Sequence, residues 1–335
     1  MRRRVTILMT GTAIAFLALM SKAQAHVRWF TEENDAYPDQ HFPRDLTNAL
    51  LLAGAVCFIA LAVYFSHAKW AGTVGAGFEK VSRSAKGLDW RLVAFLSGLM
   101  LIANSIMGVF LAPNLDLPNE NLQDVGSAAQ MIVGVLLLGQ ISFSIPGMLI
   151  LLTIGATAIV VPLNTLVDYL FEFVALAIAL IGVGPGFCAL DRRLFKQLGI
   201  DAERLARLSL PIIRIGVGLT LVVLAIHNKL LNPGLTLAFL DERNLNFMPY
   251  LGFTEFTNLH FTFAAGVAEL TIGFLILFGV ATRFVTAVLS TFFIITLFVI
   301  GPIELIGHAP LIGIAVLLIL RGGGQYRLGS SVQLS

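Results

Sequence analysis

Residues 264–321 read AAGVAELTIGFLILFGVATRFVTAVLSTFFIITLFVIGPIELIGHAPLIGIAVLLILR, a stretch that is almost entirely apolar. Breaks at 280–283 and 301–302 divide it into three runs, each about long enough to cross a hydrocarbon core of roughly 30 Å as a helix. Three ionisable residues interrupt the runs: Glu269, Glu304 and His308. Such residues are costly in lipid, so they either line a functional cavity or hold helices together through buried hydrogen bonds. The stretch therefore predicts membrane helices that carry a polar cluster.

The composition of the whole chain indicates an integral membrane protein. Of its 335 residues, 57% are hydrophobic and 13% are charged, and the mean hydropathy is +0.86. The lipid bilayer is the expected partner, and a net charge of +2 gives no sign of a nucleic-acid surface. The two cysteines, Cys57 and Cys188, lack metal-ligand spacing and indicate no disulfide framework.

The first 25 residues have the pattern of a secretory signal peptide. Three arginines at 2–4 precede an apolar run over 5–20, and Ala23 and Ala25 are the small residues that a signal peptidase reads. Cleavage would leave His26 as the first residue, on the outer face of a bacterial-type inner membrane. The alternative is that 1–25 stays attached as an uncleaved first helix.

The remaining apolar runs predict nine membrane spans in the mature chain. Residues 26–90 are expected to hold an extracytoplasmic segment, a first span at 46–66 and an inner loop. Further spans are expected at 92–111, 128–138, 146–161, 163–183 and 212–231, followed by the three runs quoted above. A surface helix is predicted to link the halves at 194–209, and 232–258 is predicted to be the longest outer loop.

The distribution of lysine and arginine sets the orientation, because cytoplasmic loops carry an excess of both. The inner segments hold thirteen such residues: Lys69, Lys80, Arg83, Lys86, Arg91, Arg192, Arg193, Lys196, Arg204, Arg207, Arg283, Arg321 and Arg327. The outer segments hold three: Arg28, Arg44 and Arg243. This bias predicts an N-terminus outside and a C-terminus in the cytoplasm.

The two halves of the chain align with each other at an offset of about 139 residues. AQMIVG at 129–134 matches AELTIG at 268–273, GPGFCAL at 184–190 matches GGGQYRL at 322–328, and Pro162 matches Pro302. We interpret 91–193 and 210–335 as two four-helix repeats. Because four is an even number of spans, both repeats would enter the membrane with the same orientation. The expected fold is therefore all-α, with two parallel four-helix bundles and one extra N-terminal span.

The second repeat resembles the DoxX/DoxD-like membrane proteins. The residues that carry the resemblance are IHNKL at 226–230 before Asn232 and Pro233, GVAEL at 266–270, GVATR at 279–283 and GH at 307–308. GPG at 184–186 followed by LDR at 190–192 is similar to the ending of the same family. The resemblance covers about 91–335 as two copies, with the second copy closer.

This resemblance implies a four-helix membrane bundle associated with quinone-linked oxidoreductases, such as terminal quinol oxidase and thiosulfate:quinone oxidoreductase. A partner redox subunit is then expected, because the chain shows no flavin, iron–sulfur or c-haem motif. The first copy has Met107, Gly108 and Val109 in place of His227, Asn228 and Lys229. It also has Gln130 in place of Glu269, so only the second copy should inherit a site.

The predicted topology brings the ionisable residues of the second copy to the outer leaflet. We predict a quinone or quinol pocket there, in which imidazole and carboxylate groups donate hydrogen bonds and take up protons. The predicted catalytic residues are His227, Glu269, Glu304 and His308, and the predicted cofactor-binding residues are His227, Lys229, His260 and His308.

Other functions fit the same residues. The three histidines with Glu304 would also suit zinc, copper or haem, although no close metal-binding spacing occurs. A histidine at a mature N-terminus offers an amine and an imidazole to copper, which predicts a metal site at His26 with His41 as second ligand. A metal-ion or small-molecule permease and a non-catalytic membrane scaffold are the alternatives to electron transfer.

Overall fold

The computed structural model describes residues 36–326, except 85–86, 113–114, 116 and 301–306. The described residues form α-helices, two short helical turns and connecting segments. We number the helices α1 Leu46–His67, α2 Lys69–Ser84, α3 Leu88–Ile106, α4 Glu120–Leu138, α5 Ser144–Val160, α6 Leu163–Phe187, α7 Ala189–Leu198, α8 Ala202–Ala225, α9 Pro233–Arg243, α10 Asn258–Phe278, α11 Thr282–Ile300 and α12 Ala309–Arg321. A π-helical turn, Ile226–Leu230, extends α8, and Met248–Leu251 is a 3₁₀ turn. The prediction of an all-α protein is confirmed for this part of the chain.

Six of these helices are long and apolar enough to cross a membrane: α1, α3, α4, α6, α8 with its π-turn, and α10. The helix α5, the 282–298 part of α11 and α12 are shorter and also apolar. Each of the nine predicted spans coincides with one of these helices, although the count of nine membrane crossings stays a prediction. The chain thus has the features of a multi-pass helical membrane protein.

Local sequence explains where the helices begin and end. The side chain of Asp45 accepts a hydrogen bond from the Asn48 N–H at the start of α1, and Asn119 caps α4 through the Leu122 N–H. The helix α10 ends at Gly279, whose φ of 73° is easily reached only without a side chain. This ending matches the predicted break at 280–283.

Three connections differ from the sequence prediction. The expected inner loop after α1 contains α2, and the expected outer loop at 232–258 contains α9 and the 3₁₀ turn. The predicted linker helix at 194–209 is divided between α7 and α8. The division arises because Gly199 adopts a φ of 65° and Asp201 caps the new helix through the Glu203 and Arg204 N–H groups.

Eight helices pack in a closed order, α3–α4–α5–α6–α8–α10–α11–α12, with α12 returning to α3. The most extensive of these contacts is between α6 and α8. Outside the ring, α1 packs on α10 and α2 packs on α12. Consecutive ring helices run antiparallel along the chain from α3 to α6 and from α8 to α12, so their ends collect at two ends of the bundle.

Close approach of the helices depends on glycine. A methyl group built on Gly98 of α3 would lie 2.7 Å from the carbonyl oxygen of Gly134 on α4. On α8, a methyl group on Gly218 would lie 2.6 Å from the Leu277 nitrogen of α10. Both pairs use the small-residue packing typical of membrane helices.

We call one end of the bundle the arginine end, defined by Arg214, Arg283 and Arg321. The guanidinium of the fully buried Arg214 donates to the carbonyl oxygens of Ile276 and Leu277 at the end of α10, and to that of Tyr326. Arg283 donates to the Ile319 and Leu320 carbonyls at the end of α12. Arginine side chains thus donate to carbonyl groups in the last turns of α10 and α12, where the helices leave acceptors available.

Two buried aspartates, Asp89 and Asp191, also make contacts at the arginine end. Asp89 at the start of α3 accepts two hydrogen bonds from Arg321 at the end of α12. Asp191 accepts from the Phe143 and Ser144 N–H groups at the start of α5, at 2.8 and 3.1 Å. These contacts close the arginine end with backbone and ion-pair bonds that leave its charges compensated.

Candidate functional site

The opposite end, which we call the histidine end, is defined by His227, His260 and His308. His227 lies in the π-turn after α8, His260 in the first turn of α10, and His308 directly before α12. The three predicted histidines therefore do lie at one end of the bundle.

The π-turn directs neighbouring side chains to different helices. The Leu231 N–H donates to the Ile226 carbonyl at 2.8 Å, which closes a turn one residue wider than an α-helical turn. His227 consequently reaches α6, and Lys229, two residues further on, reaches α10. The Thr236 hydroxyl of α9 donates to the Asn228 carbonyl at 2.8 Å and holds the turn from the other side. Wide turns of this kind are frequent at functional sites.

His227 and Asp168 form a carboxylate–imidazole pair between α8 and α6. Nδ1 of His227 lies 2.9 Å from Oδ1 of Asp168, and the Asn228 amide donates to Oδ2 at 3.2 Å. The Asp168 side chain is 1% exposed, whereas that of His227 is 24% exposed. Since an ionised carboxylate can only accept, Nδ1 carries the proton of this contact, and in the neutral tautomer Nε2 is the acceptor. Imidazole held this way is suited to act as a base at Nε2.

Lys229 and Glu269 form a second pair, between the π-turn and α10. Nζ lies 2.6 Å from Oε2, and the side chains are 16% and 21% exposed. The pair has room to form because a methyl group on Gly266, one turn before Glu269, would lie 3.2 Å from the Lys229 Cβ. This contact compensates both charges inside the helix bundle.

His260 is held by protein contacts at both ring nitrogens. The Thr257 N–H, which can only donate, lies 3.1 Å from Nδ1, so Nδ1 must accept and Nε2 must carry the proton. Nε2 then donates to Oδ2 of Asp45 at 2.7 Å. This arrangement ties α1 to α10 and leaves His260 no lone pair for a metal or haem iron.

The other predicted residues lie in separate places. His308 is 7% exposed and its ring lies 5.1 Å, centroid to centroid, from that of Phe293. His41 is exposed and contacts the Asp39 carbonyl through Nδ1 at 3.0 Å. Glu304 and His26 lie outside the described residues. The described members of the predicted catalytic set, His227, Glu269 and His308, thus occupy three different contacts.

No group of three or more His, Cys, Asp or Glu side chains within the described ranges is arranged to hold a metal ion. Both described cysteines are free, and burial raises the pKa of the Cys188 thiol to about 11, which keeps it protonated near neutral pH.

Asp168 and Glu172 were missed as site residues by sequence reasoning. The contact of Asp168 with His227 joins residues 59 positions apart, so no local sequence pattern indicates it. The available signal was the presence of two carboxylates one turn apart within the apolar run of α6.

No family model, curated protein or solved structure matches this chain.

Proposed function

We propose that the chain is an integral membrane subunit of the DoxX type that oxidises or reduces quinone together with a partner redox subunit. The observation that supports this best is the Asp168–His227 pair at the histidine end, in which the His227 side chain is partly exposed. The Lys229–Glu269 pair in the same turn supplies a cation and a carboxylate.

These residues can handle the two protons of a quinol. A quinol hydroxyl would donate to Nε2 of His227, and Asp168 would stabilise the imidazolium that forms when the proton is transferred. The Lys229 ammonium would stabilise the negative charge developing on the substrate oxygen. The Glu269 carboxylate could take the second proton, while the two electrons pass to the partner's redox centre. The reverse sequence reduces a quinone.

We also propose that α3–α6 and α8–α12 are two copies of one unit. The packing order supports this, because the last helix of each unit packs on the first helix of the other: α6 on α8, and α12 on α3. A parallel repeat with an axis along the membrane normal produces this order. With the charge bias of the sequence, the histidine end would lie at the outer leaflet of a bacterial-type inner membrane, and the arginine end in the cytoplasm.

The first unit supports the assignment of the site to the second. Gln130, aligned with Glu269, accepts from the Leu111 N–H at 2.8 Å and donates to the carbonyl of Val109, which is aligned with Lys229. Both atoms of its amide are therefore used by backbone groups, and no titratable group lies at either position. The first unit would then serve as structural support for the second.

The test is a redox spectrum of the purified full-length protein, combined with total metal analysis and extraction of bound quinone. We expect a protein without stoichiometric metal that retains quinone and oxidises added quinol when a soluble one-electron acceptor is present. A protein that binds no quinone and instead carries a substrate across the membrane of a liposome would contradict the proposal and favour a permease.

A further inference from the structure

Glu172 lies in the middle of α6, and the residues around it in this helix are almost all apolar. It is 7% exposed, and no hydrogen bond or ion pair to it occurs among the described residues. Buried carboxyl groups in proteins are normally paired or hydrogen-bonded. An unpaired one in a membrane helix is a candidate functional group by default.

The charged groups of the surrounding helices do not compensate Glu172. The sequence of α5, which packs on α6, contains no titratable residue. On α8, Arg214 directs its guanidinium to the Ile276, Leu277 and Tyr326 carbonyls at the arginine end. The charged residues of α7 follow α6 and lie at that same end, where Asp191 caps α5. Without a counter-ion, the neutral carboxylic acid is the less costly form.

Asp168 lies one turn from Glu172 on the same helix, on the side of the histidine end. Residues four apart on a helix have Cβ atoms about 5–6 Å from each other, so a side-chain rotation or one bridging water molecule would connect their carboxyl groups. Asp168 in turn contacts His227, whose ring is partly exposed. The three side chains thus form a series that leads from the bundle surface towards its interior.

We propose that Glu172 is a proton-binding site inside the bundle, connected to the histidine end through Asp168 and His227. Once Glu172 has given up its proton by the reverse of these steps, a proton accepted at Nε2 of His227 releases the Nδ1 proton to Asp168, and the Asp168 carboxylic acid passes a proton to Glu172, which returns to its neutral form. Each step moves one proton and no electron. The inference extends the proposed function by giving the proton of the substrate a place to go, but it can be measured without quinol.

Infrared difference spectroscopy of the full-length protein in lipid tests the site itself. The wild-type protein should show the carbonyl stretching band of a protonated carboxylic acid at neutral pH. Glu172→Gln should remove this band, and Glu172→Asp should shift it while keeping the acid. Glu269→Gln is the matched control, since Glu269 is ion-paired with Lys229 and should contribute no such band. A band that survives Glu172→Gln, or its absence from the wild type, would overturn the proposal.

Exchange into deuterated water tests the connection. The Glu172 band should shift as its proton is replaced, and Asp168→Asn should slow this replacement because it removes the intermediate carrier. Equal exchange rates in the wild type and Asp168→Asn would refute the connection to the histidine end. Neither measurement needs quinol, so a failure of the quinone proposal would be seen separately in the redox and extraction experiment.

Discussion

The histidine end contains two similar helix pairs that differ in chemistry. Where α8 meets α10, Lys229 and Glu269 form an ion pair with an N–O distance of 2.6 Å. Where α3 meets α4, Val109 and Gln130 occupy the aligned positions, and the Gln130 amide bonds only to the backbone of Val109 and Leu111. Both arrangements satisfy the buried polar atoms. Only the Lys229–Glu269 pair places charged groups there, in the same π-turn as His227.

We interpret this difference as a separation of a stabilising role from the proposed functional role. The Gln130 amide holds the connection after α3 in place with neutral hydrogen bonds. In the Lys229–Glu269 pair, the loss of either side chain would leave the other charge uncompensated. An ion pair inside a membrane bundle is costlier than a neutral amide, so the Lys229–Glu269 pair is expected to take part in chemistry.

The largest effect is expected from Asp168→Asn. This change leaves a side chain of similar size but removes the carboxylate that orients and stabilises the His227 imidazolium. We expect quinol oxidation per folded protein to fall by about 10²–10⁴-fold, the usual contribution of a positioned acid–base group. The measurement is steady-state turnover with a soluble electron acceptor.

Asp89→Asn is the matched control for that variant. Asp89 is as deeply buried as Asp168 but pairs with Arg321 at the arginine end. Turnover per folded protein should stay near the wild-type value, even though the variant is less stable. A loss in the control as large as the loss in Asp168→Asn would show that buried aspartates act here only through folding.

The next two variants give the Lys229–Glu269 pair, one residue at a time, the residues of the Val109–Gln130 pair. Glu269→Gln alone leaves the Lys229 ammonium without its partner and should lower the free energy of unfolding by about 3–5 kcal/mol. Adding Lys229→Val reproduces the residues of the first pair and should restore most of that loss. Turnover should stay abolished in both variants, and chemical denaturation in detergent micelles would measure the stability. Full activity in the stable double variant would contradict a catalytic role for the pair.

A smaller effect is expected from Gln130→Ala in the first pair. The change leaves the buried Leu111 N–H without its acceptor and should cost about 1–3 kcal/mol of stability. Quinol turnover should be unchanged. Gln123→Ala serves as comparison: the half-buried Gln123 amide accepts from the Leu117 N–H at 3.3 Å and donates to the Gly108 carbonyl in a bond that water can replace, so its loss should cost less. Loss of turnover in Gln130→Ala would mean that the first pair also belongs to the site.

The smallest effect concerns the contact between Asp45 and His260, which joins α1 to α10. The hydrogen bond from the Asn48 N–H, followed by the one from His260, lowers the pKa of the Asp45 carboxyl. A lowered pKa means that this contribution to stability is present above the ordinary carboxyl value and is lost as the pH falls through the lowered one. The wild type should therefore lose slightly more stability than Asp45→Asn between neutral pH and pH ~3. Parallel pH dependences of the two melting temperatures would contradict this.

The sequence allowed much of the fold to be predicted, because apolar runs alone locate the nine helices of the predicted spans. It did not indicate α2 or α9, since neither has a long apolar run and tertiary packing decides their structure. For the site, the resemblance and the cost of charge in lipid single out His227, Lys229 and Glu269 as candidates, and their role stays a prediction. The hydrogen-bond partners of the histidines could not be predicted from local sequence patterns. Asp168 meets His227, and Asp45 meets His260, only because helices distant in sequence pack together.

The most direct test of the account is the equilibrium binding of a short-chain ubiquinone to the purified protein and to two variants. One variant, Lys229→Val with Glu269→Gln, gives the second helix pair the residues of the first, and the other, Gln130→Ala, alters the first pair alone. We predict that the wild type and Gln130→Ala bind the quinone equally. The double variant should bind it at least about tenfold more weakly, which is a loss of at least about 1.4 kcal/mol of binding free energy. Equal binding by all three proteins, or no binding by the wild type, would contradict the assignment of the site to the α8–α10 pair.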